Sequence, residues 1–375
     1  MTRLGYLPVV YEALPVAGGM MKVGIPDYRL PKDKLEAEIS VIERAGVEIH
    51  LGSPVSSIEA LMDQGFQAVF VGTGAHQALP LNVDGADLPG VVSGIDFLRQ
   101  VNLGQPFDVG DDVVVVGGGS TAMDAARSAK RLGAHNVRIV YRRTRTEMPA
   151  QLDEVIDAEE EGIEMDFLAN PLRINESGGK AVGIRCIKTE LGDFDDSGRR
   201  RPIPVSGSEY SIRANLIIPC LGQKLSLGLT GGKLNLDRRG HIAIDAQTGA
   251  TNVPGVFAGG DAINPSTVIE SVAQGRLAAV SIDKYLGYEG RLFDHGRKPV
   301  LVSYDEDAYL KPLPRRKPHL ERVESRIAKM AMEVNRGFSL EEAIEEARRC
   351  LHCDRNQTVA FSAVKESVPP IEAML

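Results

Sequence analysis

Asp112-Val113-Val114-Val115-Val116 runs without a break into Gly117-Gly118-Gly119-Ser120-Thr121-Ala122, and a helical pattern follows as far as Gly133. No other stretch of the 375 residues narrows the fold as much. A continuous β-branched run suits a strand buried on both faces. Gly117 permits a tight turn, Gly119 lets backbone approach a pyrophosphate, and Ala122 lets the helix pack closely on the strand. The helix start then offers unpaired N–H groups to an anion. A glycine motif alone is weak, but between a strand and a helix it reads as a dinucleotide-binding turn.

The next apolar run, Val137 to Tyr141, ends in Arg142 and Arg143. An acid at this strand end would hold a free ribose 2′-hydroxyl and repel a 2′-phosphate. Two guanidinium groups do the reverse, through charge-assisted and often bidentate bonds. The pair predicts NADPH over NADH; the alternative is a solvated basic edge.

A second nucleotide signature lies near the other end. Asn252 to Asp261 reads as a short strand ending in Gly260-Asp261, and Pro265-Ser266-Thr267-Val268-Ile269-Glu270 as a helix start with Thr267 and Glu270 at capping-box spacing. An Asp at such a strand end can bond a ribityl hydroxyl. The helix N-terminus can favour negative charge on a reduced flavin. Two further apolar runs, Val69 to Gly74 and Leu216 to Gly222, end at small residues that permit close approach. At the start of the chain, Met1 to Gly5 reads as a last helical turn closed by a left-handed glycine. Leu7 to Tyr11 reads as a buried strand with Glu12 at its end. On the residues alone, Glu12 is either a ribose-binding acid or an ordinary strand-end carboxylate. No first strand or glycine turn precedes it, so the chain is expected to begin just after its own first flavin-binding turn.

Composition removes several classes. A formal net charge of −8 gives no general attraction to nucleic acid or anionic membrane. No apolar run reaches the ~18 residues of a membrane span, and no signal-peptide pattern opens the chain. Four cysteines give no disulfide framework. A reduced, cytoplasmic setting is expected, with no nucleic-acid or membrane partner.

Tyr11-Glu12-Ala13, Gly18-Gly19, Gly24-Ile25-Pro26, Arg29-Leu30-Pro31, Gly117 to Ala122, Tyr141-Arg142-Arg143, Met148-Pro149 and Gly260-Asp261 together resemble the small (beta) subunit of NADPH-dependent glutamate synthase and the flavin domains of dihydropyrimidine dehydrogenase. The resemblance covers roughly residues 1–290. It implies an FAD-dependent oxidoreductase that takes hydride from NADPH and passes electrons to iron–sulfur clusters, often in a partner such as a glutamate synthase large subunit. It implies that Glu12 through Met20, with Gly18 and Gly19, and Arg29 line FAD. Gly260, Asp261 and the helix start Ser266, Thr267, Val268 and Glu270 would hold its ribityl and isoalloxazine. Gly117, Gly118, Gly119, Ser120, Thr121, Arg142 and Arg143 would hold NADPH, with Cys220, Leu221 and Gly222 beside it. No general acid or base is expected, and neither Cys220 nor His76 is expected to be a catalyst. The chain departs from the pattern in lacking the N-terminal iron–sulfur segment and a redox cysteine pair near the flavin. Rival readings are a flavoprotein reductase subunit of another complex, of the ferredoxin–NADP type, and a truncated NADPH-binding scaffold without FAD.

The expected architecture is α/β with two Rossmann-like domains, the first FAD βα unit missing. An FAD-binding domain of residues 1–95 and 243–290 is interrupted by an NADPH-binding domain of residues 96–242. Residues 32–46 read as an amphipathic helix, Leu172 to Lys188 as a hairpin, and Gly192 to Arg201 as a mobile charged loop. Residues 291–375 read as a linker or partner-bound arm, with a capping-box helix opening at Ser339 and Cys350-x-x-Cys353 at its end. Those two cysteines either serve an iron–sulfur cluster shared with a partner or a missing segment, or are free thiols.

Overall fold

The computed structural model describes residues 1–195, 198–226, 228, 231–265, 267–290 and 314–348. The chain divides into two units: residues 1–292 with 322–334, and residues 293–321 with 335–375.

The first unit opens with β1 (Val9–Tyr11), α1 (Gly19–Val23), α2 (Lys32–Arg44), β2 (Glu48–His50), α3 (Ile58–Asp63), β3 (Val69–Val71), β4 (Gln77–Ala78) and α4 (Gly94–Asn102). A βαβαβ run follows: β5 (Asp112–Val116), α5 (Ser120–Arg131), β6 (Asn136–Tyr141), α6 (Leu152–Glu160) and β7 (Glu164–Phe167). Then come β8 (Ala169–Ser177), β9 (Lys180–Phe194), β10 (Arg200–Pro204), β11 (Tyr210–Arg213), β12 (Leu216–Pro219), β13 (Gln223–Lys224), β14 (Val256–Ala258) and α7 (Val268–Tyr285).

The central sheet is parallel, in the order β12-β5-β6-β7. Its valines divide by parity, as a strand must. Val113 and Val115 enter a core with Met123, Ala126 and Phe97 from α5 and α4. Val114 and Val116 enter a second core with Ile174, Ile184 and Cys186 from the antiparallel layer. That layer consists of β8, β10 and β11, each paired antiparallel with the long strand β9. The expected hairpin at Ser177 is present. The expected loop from Gly192 to Arg201 is instead a second hairpin, because β10 pairs back onto β9.

Two small parallel pairs, β1 with β2 and β3 with β14, lie outside the central sheet. Their packing moves both expected domain crossings toward the paired strands β4 and β13. Leu81, Val83, Leu88 and Val91 lie in the core of the central sheet, although residues up to 95 are expected with the flavin half. Leu225, Leu234 and Ile242 pack instead with Ile58, Val71 and Val256. Apolar side chains follow the nearest core rather than the linear midpoint between motifs.

Behind α5 lies a buried ionic cluster. Glu161 accepts from Arg127 at 2.7 and 3.0 Å and from Arg131 at 2.5 and 2.9 Å. The guanidinium carbons of Arg127 and Arg131 sit 4.9 and 3.9 Å from the Tyr28 ring centroid. Burial pushes the Tyr28 hydroxyl pKa upward, so it stays a phenol. Part of the expected arm closes the cluster: in α8 (Val323–Ala328), Arg326 pairs with Glu160 at 2.9 Å, and Val334 N donates to the Tyr28 carbonyl at 3.1 Å. Residues 322–334 therefore belong to the first unit.

In the second unit, β15 (His319–Leu320) pairs antiparallel with β16 (Asn335–Gly337). The expected capping box opens α9 (Leu340–Arg348): Glu342 N donates to Ser339 Oγ, and Ser339 N to the Glu342 carboxylate. Cys350 and Cys353 lie outside the described residues. No helix among the described residues is long and apolar enough to cross a membrane.

Replacing Glu161 by Ala strands two buried guanidinium groups, which is expected to cost about 3–5 kcal/mol. The urea midpoint should fall accordingly. A loss below about 1 kcal/mol, the range of exposed pairs, would contradict the buried cluster.

Candidate functional site

The turn after β5 is shaped by two close backbone approaches. Gly117 has φ +146°, and a Cβ there would stand 2.4 Å from the Cys220 carbonyl oxygen. Gly117 N donates to Val140 O at 3.0 Å and Cys220 N to Val116 O at 2.7 Å, so the turn is locked between β6 and β12. A Cβ on Gly118 would lie 2.6 Å from the Tyr141 ring. Gly119 differs: a Cβ there meets nothing nearer than Pro149 at 3.8 Å. The protein leaves room at Gly119, as it must if a ligand is to reach the backbone.

Gly119 N-caps α5 without any side-chain cap, and the first turn contains no acid. The N–H groups of Ser120 and Thr121 are thus available to an anion. The segment after β6 folds over this turn. Tyr141 Oη donates to Glu147 O at 2.6 Å, Ala150 N donates to Gly118 O at 3.1 Å, and Met148 packs against the core under α5. Cys220 Sγ lies 3.8 Å from the Thr121 carbonyl, and burial pushes its thiol pKa far up. It is therefore a packing residue beside the turn. Leu221 and Gly222 are exposed next to it.

The two strand-end arginines have different fates. Arg142 is exposed, and no side chain among the described residues hydrogen-bonds its guanidinium. Arg143 is only 2% exposed; its Nη2 donates to Asp195 at 2.5 Å and its Nε to the Arg200 carbonyl at 2.6 Å. The expectation that both bind a phosphate is corrected for Arg143, whose donors are turned into the β9–β10 hairpin.

On the other side of the unit, Glu12 Oε1 accepts from Leu14 N at 2.8 Å, shaping the turn after β1. Gly18 and Gly19, at φ +109° and +52°, lead into α1, and Met20 O accepts the amides of Gly24 and Ile25. Gly260 also has positive φ, and its N–H donates to Gln274 of α7 at 2.5 Å. Asp261 follows in the same short 3-10 turn. Glu12 and Asp261 both act electrostatically on His76, whose pKa is nevertheless lowered, first by burial and then by Arg99. Glu12 and Asp261, just beyond the ends of β1 and β14, thus both lie within electrostatic range of His76. His76 has no motif to announce it; its place after the Gly72–Gly74 turn is the one signal available.

Thr267 caps α7, accepting from Glu270 N at 3.3 Å. The Glu270 carboxylate turns back to accept from Thr267 N at 2.7 Å and Thr267 Oγ1 at 2.9 Å, and these bonds lower its pKa. Glu270 is thus a capping residue of α7. Val268, by contrast, is 44% exposed at the helix start. Ser266 lies outside the described residues. Arg29 is also redirected. Its Nη1 lies 2.8 Å from both Asp124 oxygens and its Nη2 pairs with Glu154, so its guanidinium ties the segment after α1 to α5 and α6.

A family model described as pyridine nucleotide-disulphide oxidoreductase matches residues 9–275. The chain belongs to the pyridine nucleotide-disulphide oxidoreductase family. FprA of Mycobacterium tuberculosis in complex with NADPH superimposes with a TM-score of 0.62 at 21% identity, covering 74% of this chain and 77% of that one. Thioredoxin reductase of T. acidophilum gives 0.59 at 21% identity over 76% of this chain and 91% of that one. At such identities these structures establish the fold.

Among curated relatives, the NADP(+)-dependent formate dehydrogenase subunit beta of Moorella thermoacetica is 42% identical over 97% of this chain and 53% of its own length. The NADPH-Fe(3+) oxidoreductase subunit beta of Geobacter sulfurreducens is 37% identical over 96% of this chain and 59% of its own. The chain thus spans between half and three-fifths of these proteins. A putative glutamate synthase [NADPH] small chain of Cereibacter sphaeroides is 37% identical over 76% of this chain and 72% of its own, in agreement with the resemblance read from the motifs.

In this member of the pyridine nucleotide-disulphide oxidoreductase family, the two glycine sites are separable by substitution. Gly118→Ala meets the Tyr141 ring and should lower the melting temperature. Gly119→Ala should leave melting unchanged while weakening dinucleotide binding about tenfold or more, the loss of a charge-assisted bond or two. Equal effects on melting would contradict the room left at Gly119.

Proposed function

We propose that this chain is the nucleotide-handling part of an oxidoreductase subunit that takes a hydride from NADPH onto FAD and delivers the electrons to a partner. The observation that carries this reading is the pairing of an open, uncapped helix start at Gly119 with an exposed Arg142, whose guanidinium no side chain among the described residues bonds. The first suits a pyrophosphate and the second a 2′-phosphate. The FAD reading rests on the residues at the ends of β1 and β14. Glu12 keeps one carboxylate oxygen beyond its bond to Leu14, Gly260 bends the chain, and the α7 start presents exposed Val268 and Ile269 to a ring system.

Bound FAD supplies a ring that accepts a hydride and releases its electrons singly to a one-electron acceptor. The chain's own work is binding and placement. The α5 start anchors the pyrophosphate, Arg142 selects the 2′-phosphate, and the β4–β13 crossing sets where the two nucleotide sites stand. No side chain need move a proton in a hydride transfer. Cys220, held as a thiol, packs beside the turn.

The partner follows from relatives named as beta subunits or small chains. We place it among electron-accepting subunits, iron–sulfur proteins in particular. The formate dehydrogenase and NADPH-Fe(3+) oxidoreductase subunits match 96–97% of this chain, the glutamate synthase small chain 76%. That difference favours a reductase subunit of another complex over a glutamate synthase subunit, and it extends the likeness into the C-terminal segment that carries Cys350 and Cys353.

The test is an anaerobic titration of the purified yellow protein. NADPH should bleach the flavin absorbance and NADH should do so far less well. Arg142→Ala should weaken NADPH about 10–100-fold, the worth of one or two hydrogen bonds to a charged group, with little change for NADH. Equal bleaching by both nucleotides in the unsubstituted protein would defeat the reading.

A further inference from the structure

From the end of β1 to the start of α2 the chain is braced by its own hydrogen bonds. Glu12 N donates to His50 O at 2.9 Å and Ser53 N to Glu12 O at 2.8 Å, which fixes the strand end to β2 and the turn after it. Gly24 N and Ile25 N share the Met20 carbonyl at 2.8 and 3.0 Å. Arg29 N and Leu30 N share the Pro26 carbonyl, both at 3.0 Å. Lys32 folds back on this run, its N donating to Asp27 at 2.8 Å and its Nζ to Met21 O at 2.9 Å. A Cβ on Gly18 would stand 3.1 Å from Leu35, so α2 presses on the entry to α1.

The far end of this braced segment grips α5. Arg29 Nη1 donates to both Asp124 oxygens at 2.8 Å, and its Nη2 pairs with Glu154 of α6. Tyr28 Oη donates to the Asp124 carbonyl at 3.3 Å, so residue 124 is held through side chain and main chain alike. Asp124 is buried, and solvent does not replace a bond lost there. It lies one helical turn beyond Ser120, whose N–H belongs to the proposed pyrophosphate site.

We propose that Arg29 and Asp124 are positioning residues, whose ion pair sets the α5 start and the nicotinamide dinucleotide it holds against the end of β1. The proposal rests on the NADPH and FAD readings and adds the part that aligns them. Loss of the pair lets the two ends drift while each nucleotide keeps its own contacts. The effect then falls on the rate of hydride transfer, which depends steeply on ring placement, and not on affinity.

The FAD-loaded full chain is mixed with NADPH in an anaerobic stopped-flow cell, and NADP⁺ affinity is measured by calorimetry. Arg29→Lys keeps the charge but cannot fork between two carboxylates. This variant and Asp124→Asn should each lower the limiting rate of flavin bleaching about ten- to a hundredfold, with NADP⁺ affinity changed less than about threefold. The long-wavelength absorbance of a stacked flavin–nicotinamide pair, which reports placement and not turnover, should weaken in both. The double variant should be no slower than the slower single one, because the two residues act as one pair. The unsubstituted protein supplies a test that needs no variant. Burial raises the Asp124 carboxyl to about 6 against the pull of Arg29, with Glu154 of α6 and Arg127 of α5 also acting on it and Tyr28, Lys32 and Cys220 within electrostatic range. Above that pH the pair is charged; below it Asp124 is protonated and Arg29 keeps only Glu154. The limiting rate should therefore fall as the pH drops through about 6, and Asp124→Asn should remove that fall. Variants that melt earlier yet bleach at the original rate with the original absorbance would make the pair a plain brace and overturn the proposal. A flat pH profile, or a loss of NADP⁺ affinity that matches the loss of rate, would overturn it too. If NADPH fails to bleach the unsubstituted protein, the proposed function falls and this proposal with it.

Discussion

Two contacts too close for any side chain, Gly117 against the Cys220 carbonyl and Gly118 against the Tyr141 ring, hold the rest of the first unit in register. They let β12, β5 and β6 end together, so that α5 starts where three strands finish. The same crowding puts Cys220 beside Thr121 and folds the Met148–Pro149 segment over the turn. Gly119, one residue on, has no such neighbour. Room there, beside tight packing on both preceding residues, is what the proposed pyrophosphate site rests on.

A second layer of organisation is electrostatic. Arg29 and Tyr28 reach from the segment after α1 onto α5 and α6, where Asp124, Glu154, Arg127, Arg131 and Glu161 form the buried cluster. Burial raises the Asp124 carboxyl pKa to about 6, and Arg29 counters part of that shift. Buried charges of this kind are expensive unless every partner is present. Residues 322–334 add Arg326, which pairs with Glu160. The cluster thus joins three distant stretches of sequence behind α5.

The parts of this design legible in the sequence are those governed by local geometry. The strand–turn–helix at 112–133, the helix ending near Gly46, the capping boxes at Thr267 and Ser339, and the hairpin at Ser177 follow from periodicity, glycine and cap residues within a few positions. The destinations of long charged side chains do not. Arg143 looks like a phosphate ligand beside Arg142 until β9 and β10 bring Asp195 to it. Arg29 looks like a flavin-side cation until α5 places Asp124 within 2.8 Å. Arg127 and Arg131, which carry no motif, are buried by a tyrosine and a glutamate far away in sequence. The crossings near β4 and β13 escape for a related reason, since segments without a motif show where they pack only through the cores they join.

The central claim is spatial: one nucleotide lies over Gly119 and the other between the ends of β1 and β14, with their reactive rings facing. A crystal of the FAD-loaded protein soaked with NADP⁺ tests it most directly. The account predicts pyrophosphate density at the α5 start, the 2′-phosphate on Arg142, and the nicotinamide stacked on an isoalloxazine held near Asp261. Flavin density in the Gly119 turn, or a nicotinamide pointing away from the Asp261 side, would contradict it.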